Sequence, residues 1–174
     1  MSIERDLANL KRNFDQLSQQ KVPRAAVNAI NQVARKIGNS AIKTVANDVG
    51  VPIKTIKGRL HTERAKGKLP RVIMRVNRLN MPAIRLLEKR STRIWEGRGG
   101  IVVGKYAIQR GFKQRLSNGR THIMQRKGGA RYPIDVVKIP LANRLTQSFQ
   151  YELRDYPKKI RSALQDELQK TLSR

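Results

Sequence analysis

The chain has 174 residues, 39% of them hydrophobic, 5% aromatic and none of them cysteine. That is room for one domain with a thin aliphatic core, and it excludes disulfides, thiolate metal sites and a cysteine nucleophile. The net charge of +26 demands polyanionic or acidic partners, and it is uneven: residues 53–131 hold 22 Lys or Arg against Glu63, Glu88 and Glu96, while both ends are close to neutral.

In chain order, Ile3, Leu7, Leu10, Phe14 and Leu17 recur at alternating steps of four and three and predict one apolar stripe on a helix. The stripe is read as a face of the protein's own core, with a subunit contact as the alternative. The polar run Gln19-Gln20-Lys21 predicts a break. Val22-Pro23 then opens a second helix, because proline fits a first turn where no N–H is needed. This helix is rich in small residues, from Ala25 to Ala46, and Gly50 is its stop. Val51-Pro52 starts a short basic helix over Ile53 to about Leu60, and the polar residues 61–69 read as a loop.

Alternation from Pro70 to Val76 predicts a strand, Ala83–Leu87 a second and Ile101–Ile108 a third. Between the last two, residues 88–100 read as a basic, glycine-bearing loop. Phe112–Leu116 and Thr121–Arg126 flank Ser117-Asn118-Gly119-Arg120 and predict a hairpin whose Asn-Gly pair takes positive φ. Ile134–Ile139 extends the sheet or packs as an edge segment. Pro140 opens the final helix, with Leu141, Leu145, Phe149, Leu153, Ile160, Leu164, Leu168 and Leu172 on one side and Pro157 kinking or splitting it. The expected fold class is α+β in a single domain, 1–174: helical over 1–60, a small antiparallel sheet within 70–139, and helical over 140–174.

Chemical signatures are scarce. Gly99-Gly100-Ile101-Val102-Val103-Gly104-Lys105 has the letters of a phosphate-binding loop, but Tyr106 stands where a magnesium-binding Ser or Thr is required. The intervening β-branched residues suit a strand instead. The two histidines, His61 near Glu63 and His122, are too isolated for a metal site. Asp135 is expected to satisfy a local basic or backbone partner rather than to complete a Ser-His-Asp set. The charged first residues carry no apolar signal segment, and no run is long enough to span a membrane. The basic middle offers Lys54, Lys57, Arg59, Arg64, Lys66, Lys68, Arg90, Arg93 and Arg98 to DNA phosphates or to acidic protein neighbours, with Trp95 available to stack on a base. No motif that reads base edges is evident, so any DNA contact is expected through phosphates and without sequence preference.

Residues 118–140 add a family resemblance. Asn118-Gly119-Arg120, His122, Met124-Gln125-Arg126, and then Tyr132-Pro133-Ile134-Asp135, Lys138 and Pro140, resemble the minor tail protein Z, or tail completion, family of lambda-like long-tailed phages. Val22-Pro23, Ala25-Ala26, Ala29-Ile30-Asn31, Arg75-Val76-Asn77-Arg78, Leu141-Ala142, Leu145-Thr146 and Phe149 extend the likeness over most of the chain. The resemblance implies a structural virion protein at the head-proximal end of the tail, present in the host cytoplasm during assembly. It implies a homo-oligomeric, hexameric ring that joins tail to head and positions the DNA end for ejection. The implied partners are the tail terminator, the head connector, the tape measure protein and double-stranded DNA, with no membrane, no cofactor, no metal and no catalytic residue. The alternatives are a sequence-independent DNA-binding protein and, at Lys105, a nucleotide-dependent enzyme.

Overall fold

A computed structural model describes residues 3–67 and 69–172. Helices occupy both ends and small antiparallel sheets the middle, so the α+β class holds. The Cα trace resolves into two compact units: one of residues up to 39, 61–75 and from 151 onward, the other of residues 40–60 and 76–150.

In the first unit, α1 (Ile3–Gln16) continues through a π turn (Leu17–Lys21) into α2 (Val22–Val49), where a break was expected. The Val22 N–H reaches the Leu17 carbonyl. Pro23 explains the widened turn, since proline has no N–H and its ring crowds the carbonyl four residues back; a π turn relieves that crowding without ending the helix. The core of this unit is Ala29, Val33, Ile37 and Ala163, with Met74, Ile160 and Leu164 packed against it. Apolar residues four apart on α2 meet the alanine side of α5 (Tyr156–Leu172), and small side chains permit the close approach. Asn31 closes the long loop: its Nδ2 donates to the Ala65 carbonyl at 3.1 Å, and its Oδ1 accepts from the Ala65 N–H at 2.9 Å.

The N-terminal stripe is not core. Leu7, Leu10 and Phe14 are 60%, 63% and 71% exposed, so that part of the sequence reading is corrected. The Ile3 and Leu172 side chains lie outside the described ones.

In the second unit α2 ends at Gly50, whose φ of +84° lets its own N–H and that of Val51 both return to the Ala46 carbonyl. α3 is shorter than expected, Ile53–Lys57, because residues 60–63 form β1 (Leu60–Glu63), paired with β2 (Ile73–Val76), rather than a loop; all but the end residues Leu60 and Val76 of that pair belong to the first unit. β3 is Met81–Pro82, and Ala83–Glu88 is a 3₁₀ helix where a strand was expected. Ala83 and Leu86 are both buried, and a spacing of three superposes them on a 3₁₀ helix, whereas in a strand they would face opposite ways.

The basic loop is half structured. β4 (Ile94–Gly97) pairs with β5 (Gly100–Val103) around Arg98-Gly99, and β5 pairs with β6 (Tyr106–Gln109) around Gly104-Lys105. What reads as one strand, 101–108, is thus a hairpin, turned by Gly104 at φ +56°. A second three-stranded sheet orders β7 (Gly111–Arg115), β8 (Thr121–Arg126) and β9 (Ile134–Val136). β10 (Lys138–Ile139) pairs with β3, so 134–139 both extends a sheet and edges another. The strands make four small sheets among the described residues instead of one. α4 (Ala142–Leu153) starts two residues after Pro140, and it is separated from α5 just before Pro157, which sits in the first turn of α5.

The hairpin at 118–119 forms, with different turn chemistry. Gly119 N–H returns to the Leu116 carbonyl at 2.9 Å, Ser117 and Asn118 are the central residues, and Gly119 has φ +75°. The only described non-glycine at positive φ is Arg110, so Asn118 does not share that conformation; its Oδ1 instead accepts from the Arg120 N–H at 3.0 Å. Gly119→Val is expected to cost about 1–2 kcal/mol, the price of left-handed backbone for a residue with a Cβ. The urea midpoint would read it, and an unchanged midpoint would mean that the turn forms without positive φ.

Candidate nucleic-acid and partner interface

The predicted cations do not form one patch. Lys54 and Lys57 project from α3, exposed and without ion pairs among the described residues, because buried Ile56 anchors the opposite side of that short helix. Arg59 is committed to the fold. Its Nη1 donates to the Leu79 carbonyl at 2.6 Å, and its own carbonyl accepts from Asn77 N–H at 2.9 Å. Burial and the nearby Arg85 charge hold its pKa below the ordinary arginine value. A groove of about 780 Å³ lies here, lined by Lys54, Thr55, Arg59, Arg85 and Glu88 among others. Glu88 accepts from Thr55 Oγ1 at 2.6 Å and pairs with Arg85. Partial burial pushes the Glu88 carboxyl up, but those two bonds and the charges of Arg85 and Lys54 outweigh it and leave the pKa lowered. Three cations against one carboxylate leave the groove positive. Arg85 was not among the expected contacts; its only signal was a position between apolar neighbours.

Arg64 and Lys66 belong to the first unit and are exposed, Lys66 bridging to Leu69 across Gly67 at φ +65°. Lys68 lies outside the described residues. His61 is exposed, and its neighbour Glu63 pairs with Arg75.

Arg90, Arg93 and Arg98 precede, flank and cap the β4–β5 hairpin, all exposed and all without ion pairs among the described residues. β4 is the edge of its sheet, and each of its four residues is exposed. It carries Trp95, 65% exposed.

The Gly99–Lys105 letters do not make a phosphate loop. Gly100–Val103 is a strand, no helix follows, and Lys105 Nζ donates to the Asp48 carbonyl at the end of α2, with the Asp48 carboxylate 3.4 Å away. A cation there satisfies a free helix-end carbonyl and the negative end of the helix dipole. Arg144 joins the same cluster, 3.0 Å from Asp48 Oδ2 and 2.9 Å from the Tyr106 hydroxyl. Lys105 is thus a positioning group of the fold.

The 118–140 motif is mostly framework. Met124 stands between Phe112 and Val136 across the three strands. Arg126 covers the Phe112 ring at 5.2 Å and donates to the Arg131 carbonyl at 2.8 Å, closing the 127–133 loop. Gln125 donates to the Gln109 carbonyl at 2.9 Å. Asp135 pairs with Lys127 at 2.5 Å, the local basic partner expected of it. His122 sits beside Gln114 with Nδ1 buried and unbonded. Ile134 pairs with Arg126, and Lys138, exposed, with Pro82. Tyr132 and Pro133 are the exposed tip, with Arg131 over the Tyr132 ring at 6.0 Å.

Among the described residues no helix is long and apolar enough to cross a membrane. The family model described as prophage minor tail protein Z (GPZ) matches residues 6–174. The chain is 40% identical over 148 residues to the tail completion protein of Escherichia phage N15, covering 81% of this chain and 80% of that one. It is 36% identical over 181 aligned positions to tail completion protein Z of Escherichia phage lambda, covering 93% and 94%. No solved structure matches.

Proposed function

The chain belongs to the prophage minor tail protein Z family, and from that premise we propose that it completes the phage tail at its head-proximal end, helping to join tail to head and to position the DNA end for ejection. The coarse role, a structural component of the phage tail, follows from the family. The finer placement is supported by one combination: exposed cations on α3 and the β4–β5 hairpin, without ion pairs among the described residues, and an uncovered apolar stripe on α1. The cations suit DNA phosphates and acidic neighbours, and the stripe suits another subunit.

The occupant proposed for that stripe is a second copy of the same chain. Leu7, Leu10 and Phe14 follow coiled-coil spacing and line a groove of about 510 Å³ with Lys11 and Asp15. Two copies of a +26 chain repel each other, but residues 3–17 hold three acids and three bases. They can therefore meet at α1 without that penalty. With each α1 set between those of two neighbours, head to tail and not as a two-fold pair, the contact closes the homo-oligomeric ring, a hexamer, beside the tail terminator, head connector and tape measure protein.

Gold labelling of a tagged chain on purified tails tests the placement. Label confined to the end opposite the tail tip is expected. Label at the tip or along the tube would overturn it. A protein that is absent from particles and bound to DNA in the cell would favour the second reading, a sequence-independent DNA-binding protein.

A further inference from the structure

The β4–β5 hairpin has features that phosphate contact alone does not require. Its β4 strand carries Trp95, exposed on the sheet edge, whereas Ile101 and Val103 of β5 are buried. The indole lies along the strand over Gly97: a Cβ at Gly97 would fall 2.4 Å from Trp95 Cη2 and 2.8 Å from Cζ3. Glycine at the next same-face position therefore lets the ring lie low on the hairpin while most of it stays open to solvent. In the surrounding sequence Arg90, Arg93 and Arg98 are exposed and without ion pairs among the described residues, and Glu96 is the single acid against twelve bases from residue 89 to 134. A protein-docking tryptophan is expected at the centre of an apolar patch; this one shares its hairpin with exposed Arg93 and Arg98, two and three residues away along the chain.

We propose that this hairpin binds single-stranded nucleic acid, stacking a base on Trp95 and taking the flanking phosphates on Arg90, Arg93 and Arg98. A flat ring within a cationic surface is the combination that holds single strands without reading sequence. Duplex DNA offers the phosphates but not the base faces, which are already stacked within the helix. The inference deepens the DNA contact proposed above and rests on that reading.

Trp95 is the only tryptophan, so the emission of the full chain reports this site alone. The experiment is a titration with short oligodeoxythymidylate, with duplex DNA and with poly-glutamate, at low and high salt. Oligodeoxythymidylate is expected to quench Trp95. By anisotropy of the labelled oligonucleotide, Trp95→Ala is expected to lose about tenfold to a hundredfold in affinity, with Trp95→Phe recovering part of it. Arg90→Glu, Arg93→Glu and Arg98→Glu together are expected to weaken binding further and to flatten its salt dependence by about two logarithmic units per decade of salt. All of these variants should melt like the wild type, because the side chains are exposed. Equal quenching by poly-glutamate, or a Trp95→Ala protein that binds the oligonucleotide as tightly as wild type, would overturn the inference. Duplex binding with Trp95 unquenched would overturn it too, while leaving the phosphate reading intact. Binding to neither nucleic acid would overturn both.

Discussion

Gly100→Ala is expected to destabilise the protein by about 4 kcal/mol, combining a backbone conformation nearly exclusive to glycine with overpacking against fixed atoms. Gly100 has φ +147°, and a Cβ there would fall 2.2 Å from the Ile108 carbonyl oxygen, 2.9 Å from Arg110 N and 3.0 Å from Gln109 Cα. These are backbone atoms of the paired strand β6 and its exit, so no side chain can rotate away. Relief requires β5 and β6 to part, which would uncover Ile101 and Val103. For a chain of this length the loss corresponds to roughly 10 °C in Tm. Gly99→Ala is the internal control: nothing lies within 4 Å of its Cβ position, and a change within about 0.5 kcal/mol is expected. Differential scanning calorimetry of the two variants separates the readings. Equal, small losses would mean that the β5–β6 register is not the one described.

Leu10→Asp with Phe14→Asp is expected to convert the assembled protein to monomer without lowering its melting temperature. Both side chains are more than 60% exposed in the single chain, so the fold loses little when they change. Covering them on a second copy would contribute about 3–6 kcal/mol per subunit, and removing that contribution weakens association by roughly a hundredfold to ten-thousandfold. Native mass at low and high salt is the measurement. Wild type should stay oligomeric in high salt, since apolar contacts are not screened. The double variant should be monomeric in both. A variant that keeps the wild-type mass would show that subunits meet elsewhere. A wild type that is monomeric throughout would mean that the ring forms only on the end of the tail.

Local rules carried much of this molecule. Gly50 ends α2, Pro157 sits where α4 gives way to α5, and Gly119 turns a hairpin, each because one residue type resolves a local backbone conflict. Where local rules conflicted, reading residue by residue failed. Ala83–Leu87 is apolar enough for a strand, yet it becomes 3₁₀ because Ala83 and Leu86 must both be buried. Gln19-Gln20-Lys21 is polar enough for a break, yet it stays helical, because an exposed turn needs no apolar side chains to remain helical.

The candidate site divided in the same way. Charge density, the lone tryptophan and the family motif were readable in the chain itself, because each is a property of composition or order. Which cations are free was not. In the sequence Arg59 and Lys105 read as cations just as Arg98 does, but carbonyls distant in sequence claim them, Leu79 for one and Asp48 for the other. The sequence by itself determined the α+β class, the family and the excess of positive charge. The tertiary structure alone decided that the α1 stripe faces outward and that Trp95 lies open on an edge strand. A side chain's exposure depends on what packs over it, and that is a relation between segments distant in the chain.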